Sequence, residues 1–457
     1  MKKNIIEKAI EAPAEALQFG VEGGQKIVAK VPMSNHRPLQ KAKNYWYLLG
    51  PGLTTGASDD DPSGIATYSQ TGAQYGFGLL WLAAFTFPLM AVIQEMCARI
   101  GLVTGRGLAG NIRVHFGRKV LYISTLFLFA ANTFNIGADI GAMANAVQLL
   151  VPRADFSLLA IAFTILILLL QVFTPYVRYA RYLKWLALVL LAYIVSAVLA
   201  HPDWGTIVQH SIIPHITFSK DQLLLITAIL GTTITPYLFF WQTSQEIEEE
   251  IAAGDTTIKS RQGAEPTQIK KMRIDVWSGM FFSNLVMFFI IAACASVLFK
   301  HGITNINTAA QAAAALRPFA GSATFWLFAS GIIGMGLLAI PVMAGASAYA
   351  ISESIGKRQG LNSKLKQGSA FYGVIIISMI LGLIMNFLGL NPIKALIYSA
   401  VLNGIVAPII LVLIILIARN AHVMGEWKNG KLSSGLGWLL TLMMALSGIA
   451  AIYALFP

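Results

Sequence analysis

The sequence predicts an all-α polytopic membrane protein. The chain has 457 residues, of which 56% are hydrophobic and only 12% are charged, whereas a soluble domain carries about 25% charged residues. Eleven apolar stretches follow one another along the chain, and about 20 apolar residues suffice to cross the hydrocarbon core of a bilayer. The two cysteines, Cys97 and Cys294, lie within apolar runs, so we expect buried thiols rather than a disulfide framework.

The apolar stretches define the predicted membrane spans. Their centres lie near Thr55, Pro88, Asn135, Ile165, Leu190, Thr233, Met287, Gly336, Met379, Val406 and Met443. With the N-terminal tail in the cytoplasm, only five of the 33 Lys and Arg residues fall on the outer side, as the positive-inside rule requires. These five are Arg153, Lys220, Lys300, Arg317 and Lys394. The net charge of +12 is therefore a topology signal, and it indicates no nucleic-acid partner.

The spans divide the chain into four predicted regions. Residues 1–45 form a cytoplasmic tail without the apolar core of a signal peptide, and residues 46–201 and 202–420 form two units of five spans each. Residues 421–457 contain an inner loop and an accessory eleventh helix. An odd number of spans in total places the C-terminus outside the cell membrane.

Two spans carry helix-breaking residues at their centres. The first span contains "GPGLTTGASDDDPSGIAT", in which Pro62 disfavours helix at Asp61 and Gly64 follows. The sixth span contains "LGTTITPY", where Pro236 stands at the centre. Irregular backbone at this depth is tolerated only where it packs in protein or lines a cavity. Because spans one and six each open a five-span unit, the breaks predict a transporter site between inverted repeats.

The three aspartates Asp59, Asp60 and Asp61 require a compensating environment. One ionised carboxylate facing lipid at mid-helix costs about 2.5–3.5 kcal/mol, so we expect these groups to face water, bind a cation or be partly neutralised. Carboxylates together with free helix-end carbonyls and threonine hydroxyls would form a hard oxygen site for a cation. The alternative is that Asp60 or Asp61 caps the kink by accepting N–H groups of the second half-helix.

Other acidic side chains have simpler interpretations. The run "EIEEE" from Glu246 to Glu250 is expected to be a solvated extension of the sixth span, followed by a flexible loop. Glu95 is expected to pair with Arg99 four residues later. Glu353, near Lys357, has the same interpretation.

At this point the sequence resembles a known family. The segments "GPGL", "DPSGIATYSQTGAQYGFGLLW" and "QEMCARIGLVTGRGLA" are similar to the first two helices of the Nramp divalent-metal transporters. The resemblance covers about Trp46 to Arg419 and is strongest over Gly50–Gly107. It implies the LeuT-type fold, an inverted repeat of five plus five helices with helices one and six broken around the metal, followed here by an eleventh helix.

Several family ligands are replaced in this chain. The family motif Asp-Pro-Gly-Asn of the first helix stands here as Asp61, Pro62, Ser63 and Gly64, so the resemblance implies that Asp61 is a metal ligand but the asparagine ligand is lost. Asp60 is a further carboxylate at the entrance or around the ligands.

The sixth-helix motif differs as well. Met-Pro-His of the family stands here as Thr235, Pro236 and Tyr237, and the alanine that binds through its carbonyl is Thr232. A thioether favours soft cations, whereas a hydroxyl is a hard ligand. Mg²⁺ binds through one or two carboxylates and retains several waters. The chain therefore resembles the divergent Nramp-related magnesium transporters, although these replacements do not separate Mg²⁺ from Mg²⁺ plus Mn²⁺.

Proton coupling is expected to be absent. The family's third helix carries an aspartate and a glutamate three residues later, and this chain has Asp139 but Ala142. The histidine linked to proton movement is Tyr237. Asp139 is either a functional intramembrane acid or hydrogen bonded to a neighbouring helix. Asn403, in the middle of the tenth span, either faces the cavity or makes an interhelical hydrogen bond.

These observations predict a secondary transporter that imports divalent cations, chiefly Mg²⁺, without protons. The rival is a proton-coupled Mn²⁺/Fe²⁺ importer, and a distant alternative is an organic-solute symporter, whose carboxylate substrates the aspartates would repel. An intramembrane enzyme or a metal sensor is disfavoured because the spans lack a metalloprotease His and Glu pattern or a serine–histidine pair. We expect no enzymatic activity, no cofactor and no obligatory protein partner, only the cation substrate and the lipid bilayer.

Overall fold

The structure is a computed structural model that describes residues 50–174, 191–317, 321–361 and 367–455. Within these ranges the regular elements are 17 α-helices and four short 3-10 turns. The predicted N-terminal tail and the centre of the fifth span lie outside the described residues. The helices of the first unit are α1 (Pro51–Asp59), α2 (Pro62–Tyr75), α3 (Trp81–Thr104), α4 (Leu108–His115), α5 (Arg118–Leu150), α6 (Phe156–Phe173) and α7 (Leu191–Leu199).

The second unit repeats this order. After α8 (Trp204–Ile212), its helices are α9 (Lys220–Thr233), α10 (Pro236–Ala252), α11 (Pro266–Val297), α12 (Ala309–Ala313), α13 (Thr324–Ser354), α14 (Ser369–Met385) and α15 (Pro392–Arg419). The chain ends with α16 (Ala421–Met424) and α17 (Lys431–Leu455). The 3-10 turns are Phe299–His301, Ala314–Leu316, Gly321–Ala323 and Gly425–Trp427.

The helices reproduce the predicted order of spans. Among the described residues, eight helical stretches are long and apolar enough to cross a membrane, one of them being α9 and α10 together. The broken α1–α2 pair, the described part of the fifth span in α7 and the shorter α14 account for the other three. Large apolar side chains such as Leu126, Leu158 and Leu442 are exposed on the outer helices, which suits contact with lipid tails.

Both predicted helix breaks are present. Helix α1 ends at Asp59 and α2 begins at Pro62, while α9 ends at Thr233 and α10 begins at Pro236. Proline suits the first position of a helix because the N–H it lacks would have no partner there. Each proline therefore starts a new half-helix in the interior of the protein.

Helix α1 packs against α11 with almost no space between the backbones. A methyl group added at Gly52 would lie 2.6 Å from the Val276 nitrogen, and one added at Gly56 would overlap the backbone of Gly279. Small residues four apart let membrane helices approach this closely. The N-terminus of α1 is also held by a side chain of α11, because the Asp275 carboxylate accepts hydrogen bonds from three of its backbone N–H groups.

The predictions for acidic side chains away from the breaks had different outcomes. The predicted pair of Glu95 and Arg99 is confirmed at 3.1 Å, and Glu95 also accepts hydrogen bonds from Arg273 at 2.9 Å and Trp277 at 2.8 Å. For Glu353, the predicted pair with Lys357 four residues later is wrong. Its carboxylate is half-buried against the beginning of α4.

The cause is the geometry of α4. The N–H groups of Gly107 and Gly110 donate to the two oxygens of Glu353 at 2.9 and 2.8 Å. The first N–H groups of a helix have no intrahelical acceptor. Glu353 of α13 provides acceptor oxygens for those of α4. The predicted helical extension over "EIEEE" is confirmed, because α10 continues to Ala252. Its predicted solvation is wrong, because the side chains of Glu246 and Glu248 are buried.

Candidate metal centre at the two helix breaks

Three polar contacts join the two breaks. The Tyr237 hydroxyl of α10 donates to the backbone carbonyl of Ser58 in α1 at 2.8 Å. The hydroxyls of Tyr68 and Thr233 lie 3.1 Å apart. The hydroxyls of Ser63 in α2 and Thr232 in α9 lie 3.4 Å apart. The interrupted segments of spans one and six therefore face each other directly.

Asp61 is the best-connected carboxylate at the breaks. It is the N-cap of α2, where its Oδ1 accepts the Gly64 N–H and the Ser63 hydroxyl, both at 2.7 Å. Its Oδ2 accepts the side-chain N–H of Asn135 in α5, also at 2.7 Å. An ionised carboxylate offers about four lone-pair positions, so these three bonds leave capacity for a cation. Asp61 thus caps α2, as one of the two interpretations expected, and it can still bind a cation.

The two preceding aspartates are less completely satisfied. Asp59 and Asp60 are buried, and Oδ2 of Asp59 accepts a 2.6 Å hydrogen bond from the Ser283 hydroxyl. Within the part of the chain that the structure describes, Oδ1 of Asp59 and Oδ1 of Asp60 have no hydrogen-bond partner. Buried polar atoms without partners are uncommon and call for an ion, a water or a proton.

Two threonines of span six provide hydroxyls at the other break. Thr235 is the N-cap of α10, yet its side chain does not cap that helix. Its buried Oγ1 has no hydrogen-bond partner among the described residues. Thr232 faces α2 so closely that a methyl group at Gly64 would lie 3.2 Å from its Oγ1 and 3.3 Å from the carbonyl oxygen of Asp59. Position 64 therefore has little room for the side chain of an asparagine.

Asp139 and Asn403 lie on the helices that flank the breaks. Both oxygens of Asp139 in α5 are buried without a hydrogen-bond partner in the described ranges. Oδ1 of Asn403 in α15 is likewise buried and unpartnered there. The next residue, Gly404, packs against Gly231 of α9, which places Asn403 beside span six. Its unpartnered Oδ1 means that this oxygen makes no hydrogen bond within the described residues.

Two side chains at this site were not predicted from the sequence. Asn135 contacts Asp61, and its Nδ2 also lies 2.8 Å from the Met343 sulfur in α13. Asn135 stands four residues before Asp139 and hence on the same face of its helix. That spacing was the available signal. Met343 had none, because a methionine in an apolar span is ordinary packing material.

The groups that donate hydrogen bonds to Asp61 are neutral. Over the described ranges, no group of three or more His, Cys, Asp and Glu side chains is arranged to hold a metal ion. The groups that hydrogen bond to Asp61 are a hydroxyl, a backbone N–H and an amide, and the thioether of Met343 lies beyond that amide.

Comparisons with known proteins agree with this architecture. The family model described as Natural resistance-associated macrophage protein-like (Nramp) matches residues 52–454. The chain is 27% identical over 431 residues to the divalent metal cation transporter MntH of Klebsiella pneumoniae, which covers 92% of this chain and 97% of that protein. A protein of the same name from Caldanaerobacter subterraneus is 24% identical over 412 residues, covering 89% and 93% of the two chains.

Solved structures show the same fold. The Eremococcus coleocola manganese transporter in complex with an aromatic bis-isothiourea substituted compound superposes with a TM-score of 0.70 at 19% identity, covering 93% of this chain and 89% of that one. MhsT in complex with L-phenylalanine gives a TM-score of 0.55 at 12% identity, covering 89% and 98%. The predicted five-plus-five arrangement with broken helices one and six is thereby confirmed, and since the family model spans most of its length, the chain belongs to the Nramp family.

Proposed function

We propose that this protein is a secondary transporter that imports divalent metal cations, with Mg²⁺ as its main substrate and without proton coupling. The proposed ligands are Asp61, Thr232 and Thr235, with Asp60 and Asn403 as further oxygen donors. Relatives named divalent metal cation transporters support the substrate class.

The observation that carries the Mg²⁺ proposal is the unpartnered hydroxyl of Thr235. This oxygen is buried at the break of span six, at the position where the sequence motif of the family has a methionine. A hydroxyl is a hard ligand, and hard oxygen ligands suit Mg²⁺ better than they suit softer transition metals. Together with the carboxylates of Asp61 and Asp60, it provides hard oxygen ligands for such a cation.

The proposal of uncoupled transport is supported by the local contacts of Tyr237. Its hydroxyl is engaged with the Ser58 carbonyl at 2.8 Å and so joins two half-helices. A phenol with an ordinary pKa near 10 is a poor proton carrier at neutral pH compared with histidine. The family's second acid on this helix is Ala142 here, which leaves Asp139 as the group proposed to carry a proton or to support a cation ligand.

The test is cation uptake by the purified protein in liposomes. Mg²⁺ and Mn²⁺ influx would be compared while internal pH is followed, for the wild type, Asp61→Ala and the control Asp155→Asn. Asp155 also caps a helix, accepting the Leu158 N–H at 2.8 Å, but it stands at α6. Mg²⁺ influx without acidification, lost only in Asp61→Ala, is the expected result. Mn²⁺-only influx with parallel acidification would refute the proposal.

A second candidate function is proton-coupled Mn²⁺ transport, and Met343 favours it. Its sulfur lies 2.8 Å from Nδ2 of Asn135, which itself contacts Asp61. Only the side chain of Asn135 thus separates the Met343 thioether from the proposed ligand Asp61. If Mn²⁺ is the substrate, Met343→Leu should raise the KM for Mn²⁺ about tenfold or more, by analogy with losing a group around a metal. For an Mg²⁺ transporter the same change should leave the KM for Mg²⁺ nearly unchanged.

The proposed location is the cell membrane, with the N-terminus in the cytoplasm and the C-terminus outside. The distribution of Lys and Arg between the loops supports this orientation. The division into a tail, two five-span units and an accessory helix is proposed on the same basis. Labelling single cysteines placed in successive loops with an impermeant reagent on intact cells would test it.

A further inference from the structure

We propose that Asn135 is a cation ligand, whose side-chain oxygen joins Asp61 around the transported ion and favours a small octahedral cation. This inference rests on the proposed function and adds a ligand from the third span, which lies outside both broken helices.

The first observation is an imbalance in the hydrogen bonds of Asn135. Its Nδ2 donates to Oδ2 of Asp61 at 2.7 Å and faces the Met343 sulfur at 2.8 Å. Its Oδ1 is buried and has no hydrogen-bond partner among the described residues. The amide nitrogen therefore contacts both Asp61 and Met343, while the amide oxygen accepts no hydrogen bond from the described residues. Buried amides rarely show this arrangement.

A bound cation would reverse the preference of this amide. Without a cation, the nitrogen must face Asp61, because an amide oxygen would repel the carboxylate. With a cation on the carboxylate, a half-turn of the amide exchanges its oxygen and nitrogen, which are nearly equal in size. The oxygen then faces the ion at the position that the nitrogen held. The ligand is thus already in place and needs only a side-chain rotation.

The distance between the two groups suits a small ion. Mg²⁺ binds oxygen at about 2.0–2.1 Å in octahedral geometry, so neighbouring ligands lie about 3 Å apart. The corresponding separation for Ca²⁺, with bonds of about 2.3–2.6 Å, is about 3.5 Å in the same geometry. The 2.7 Å between Nδ2 of Asn135 and Oδ2 of Asp61 is a hydrogen-bond length, so a shared Mg²⁺ would part the two atoms by roughly 0.2 Å and a shared Ca²⁺ by about 0.8 Å. The smaller displacement favours Mg²⁺.

The crowding at Gly64 explains why the amide comes from α5. A methyl group at position 64 would already lie 3.2 Å from the Thr232 hydroxyl and 3.3 Å from the Asp59 carbonyl oxygen. An amide side chain on α2 would displace these oxygens. Asn135 approaches the same carboxylate from another helix and leaves them where they are.

The experiment compares two substitutions of Asn135 with a matched control on the same helix. Asn132 is also buried, also has an unpartnered Oδ1 among the described residues, and donates to Ser347 at 2.9 Å instead of to Asp61. MgCl2 and CaCl2 uptake would be measured in liposomes for Asn135→Leu, Asn135→Asp and Asn132→Leu. Calorimetric titration of the purified proteins with MgCl2 would report binding separately from turnover.

Asn135→Leu should raise the KM and the dissociation constant for Mg²⁺ at least tenfold, the usual effect of losing a group that supports a metal, and should reduce discrimination against Ca²⁺. Asn135→Asp keeps an oxygen at the same place and should bind Mg²⁺ at least as tightly as the wild type. Asn132→Leu should bind Mg²⁺ like the wild type. Wild-type Mg²⁺ affinity in folded Asn135→Leu, equal losses in both leucine variants, or lost binding in folded Asn135→Asp would each overturn the inference.

Failure of the proposed function gives a different pattern. If the wild type carries no Mg²⁺, the proposed function and this inference both fall. If the wild type carries Mg²⁺, Asp61→Ala does not, and Asn135→Leu keeps the wild-type KM, only the role of Asn135 falls.

Discussion

Replacing Asp275 with alanine is expected to release the beginning of α1 from α11. The carboxylate accepts N–H groups of Gly50 and Gly52 at 2.7 Å and of Leu53 at 3.1 Å. No side chain of α1 itself caps this end. Asp275 therefore acts as an N-cap supplied by a neighbouring helix, and its loss leaves three backbone donors without these acceptors.

The size of the effect follows from the number and kind of these bonds. A hydrogen bond to a charged group contributes about 1.5–3 kcal/mol, and the two short bonds together contribute about 3–6 kcal/mol. Water can reach the freed N–H groups once α1 moves away, so the lower value, about 3 kcal/mol, is the better expectation. Since about 1.4 kcal/mol corresponds to a factor of ten, the equilibrium between docked and released α1 should shift roughly 100-fold.

Cysteine labelling can measure this shift. Thr54 is buried within α1, and the natural cysteines Cys97 and Cys294 are buried as well, so a cysteine at position 54 would be labelled against a low background. The labelling rate of Thr54→Cys with a small maleimide should rise by about two orders of magnitude when Asp275→Ala is added. Asp275→Asn keeps one acceptor oxygen and should give an intermediate rate.

An unchanged labelling rate in a monodisperse Asp275→Ala protein would refute the reasoning. The hydrogen bonds would then be incidental, and the close glycine packing between α1 and α11 would alone keep α1 docked. A rate that rises equally in Asp275→Asn and Asp275→Ala would show that charge, rather than the number of acceptors, holds the helix.

Three further substitutions test other parts of the structure. Gly279→Ala should destabilise the protein by about 1–3 kcal/mol or more through overlap with α1, seen as a lower Tm, whereas Gly373→Ala, which has open space around it, should not. Tyr237→Phe should lower the free energy of unfolding by about 1 kcal/mol, because the hydrogen bond to Ser58 is lost. Cation uptake should occur without acidification in both the wild type and this variant. Acidification that is present in the wild type and absent in Tyr237→Phe would contradict the proposal of uncoupled transport. Glu95→Gln should lower the Tm by weakening a mostly buried ion-pair group. This loss should persist in 1 M salt, because a Debye length of about 3 Å screens mainly exposed charges.

The sequence alone determined the class, the number of spans and the positions of both breaks. These features depend on local properties, namely runs of apolar residues, proline at Pro62 and Pro236, and the distribution of Lys and Arg. Membrane helices must satisfy their backbone hydrogen bonds internally. An interruption of such a helix can therefore be recognised in the sequence by helix-breaking residues. The pair of Glu95 and Arg99 was predictable for the same reason, because i,i+4 spacing brings two side chains of one helix together.

Contacts between distant segments were decided only by the tertiary structure. Asp275 lies more than 200 residues from the N–H groups it accepts, and Glu353 caps a helix that precedes it by more than 240 residues. The acidic run after span six looked solvated because its composition is polar, yet Glu246 and Glu248 are buried where helices pack around them.

The candidate site divides along the same line. Asp61 stood out in the sequence because a charge at mid-membrane is costly and must be compensated. Its neighbour Asn135 did not, since a single amide in an apolar helix is unremarkable until the fold places it 2.7 Å from that carboxylate. Which groups share a cation depends on the packing of separate helices, and no local pattern along one chain encodes that packing.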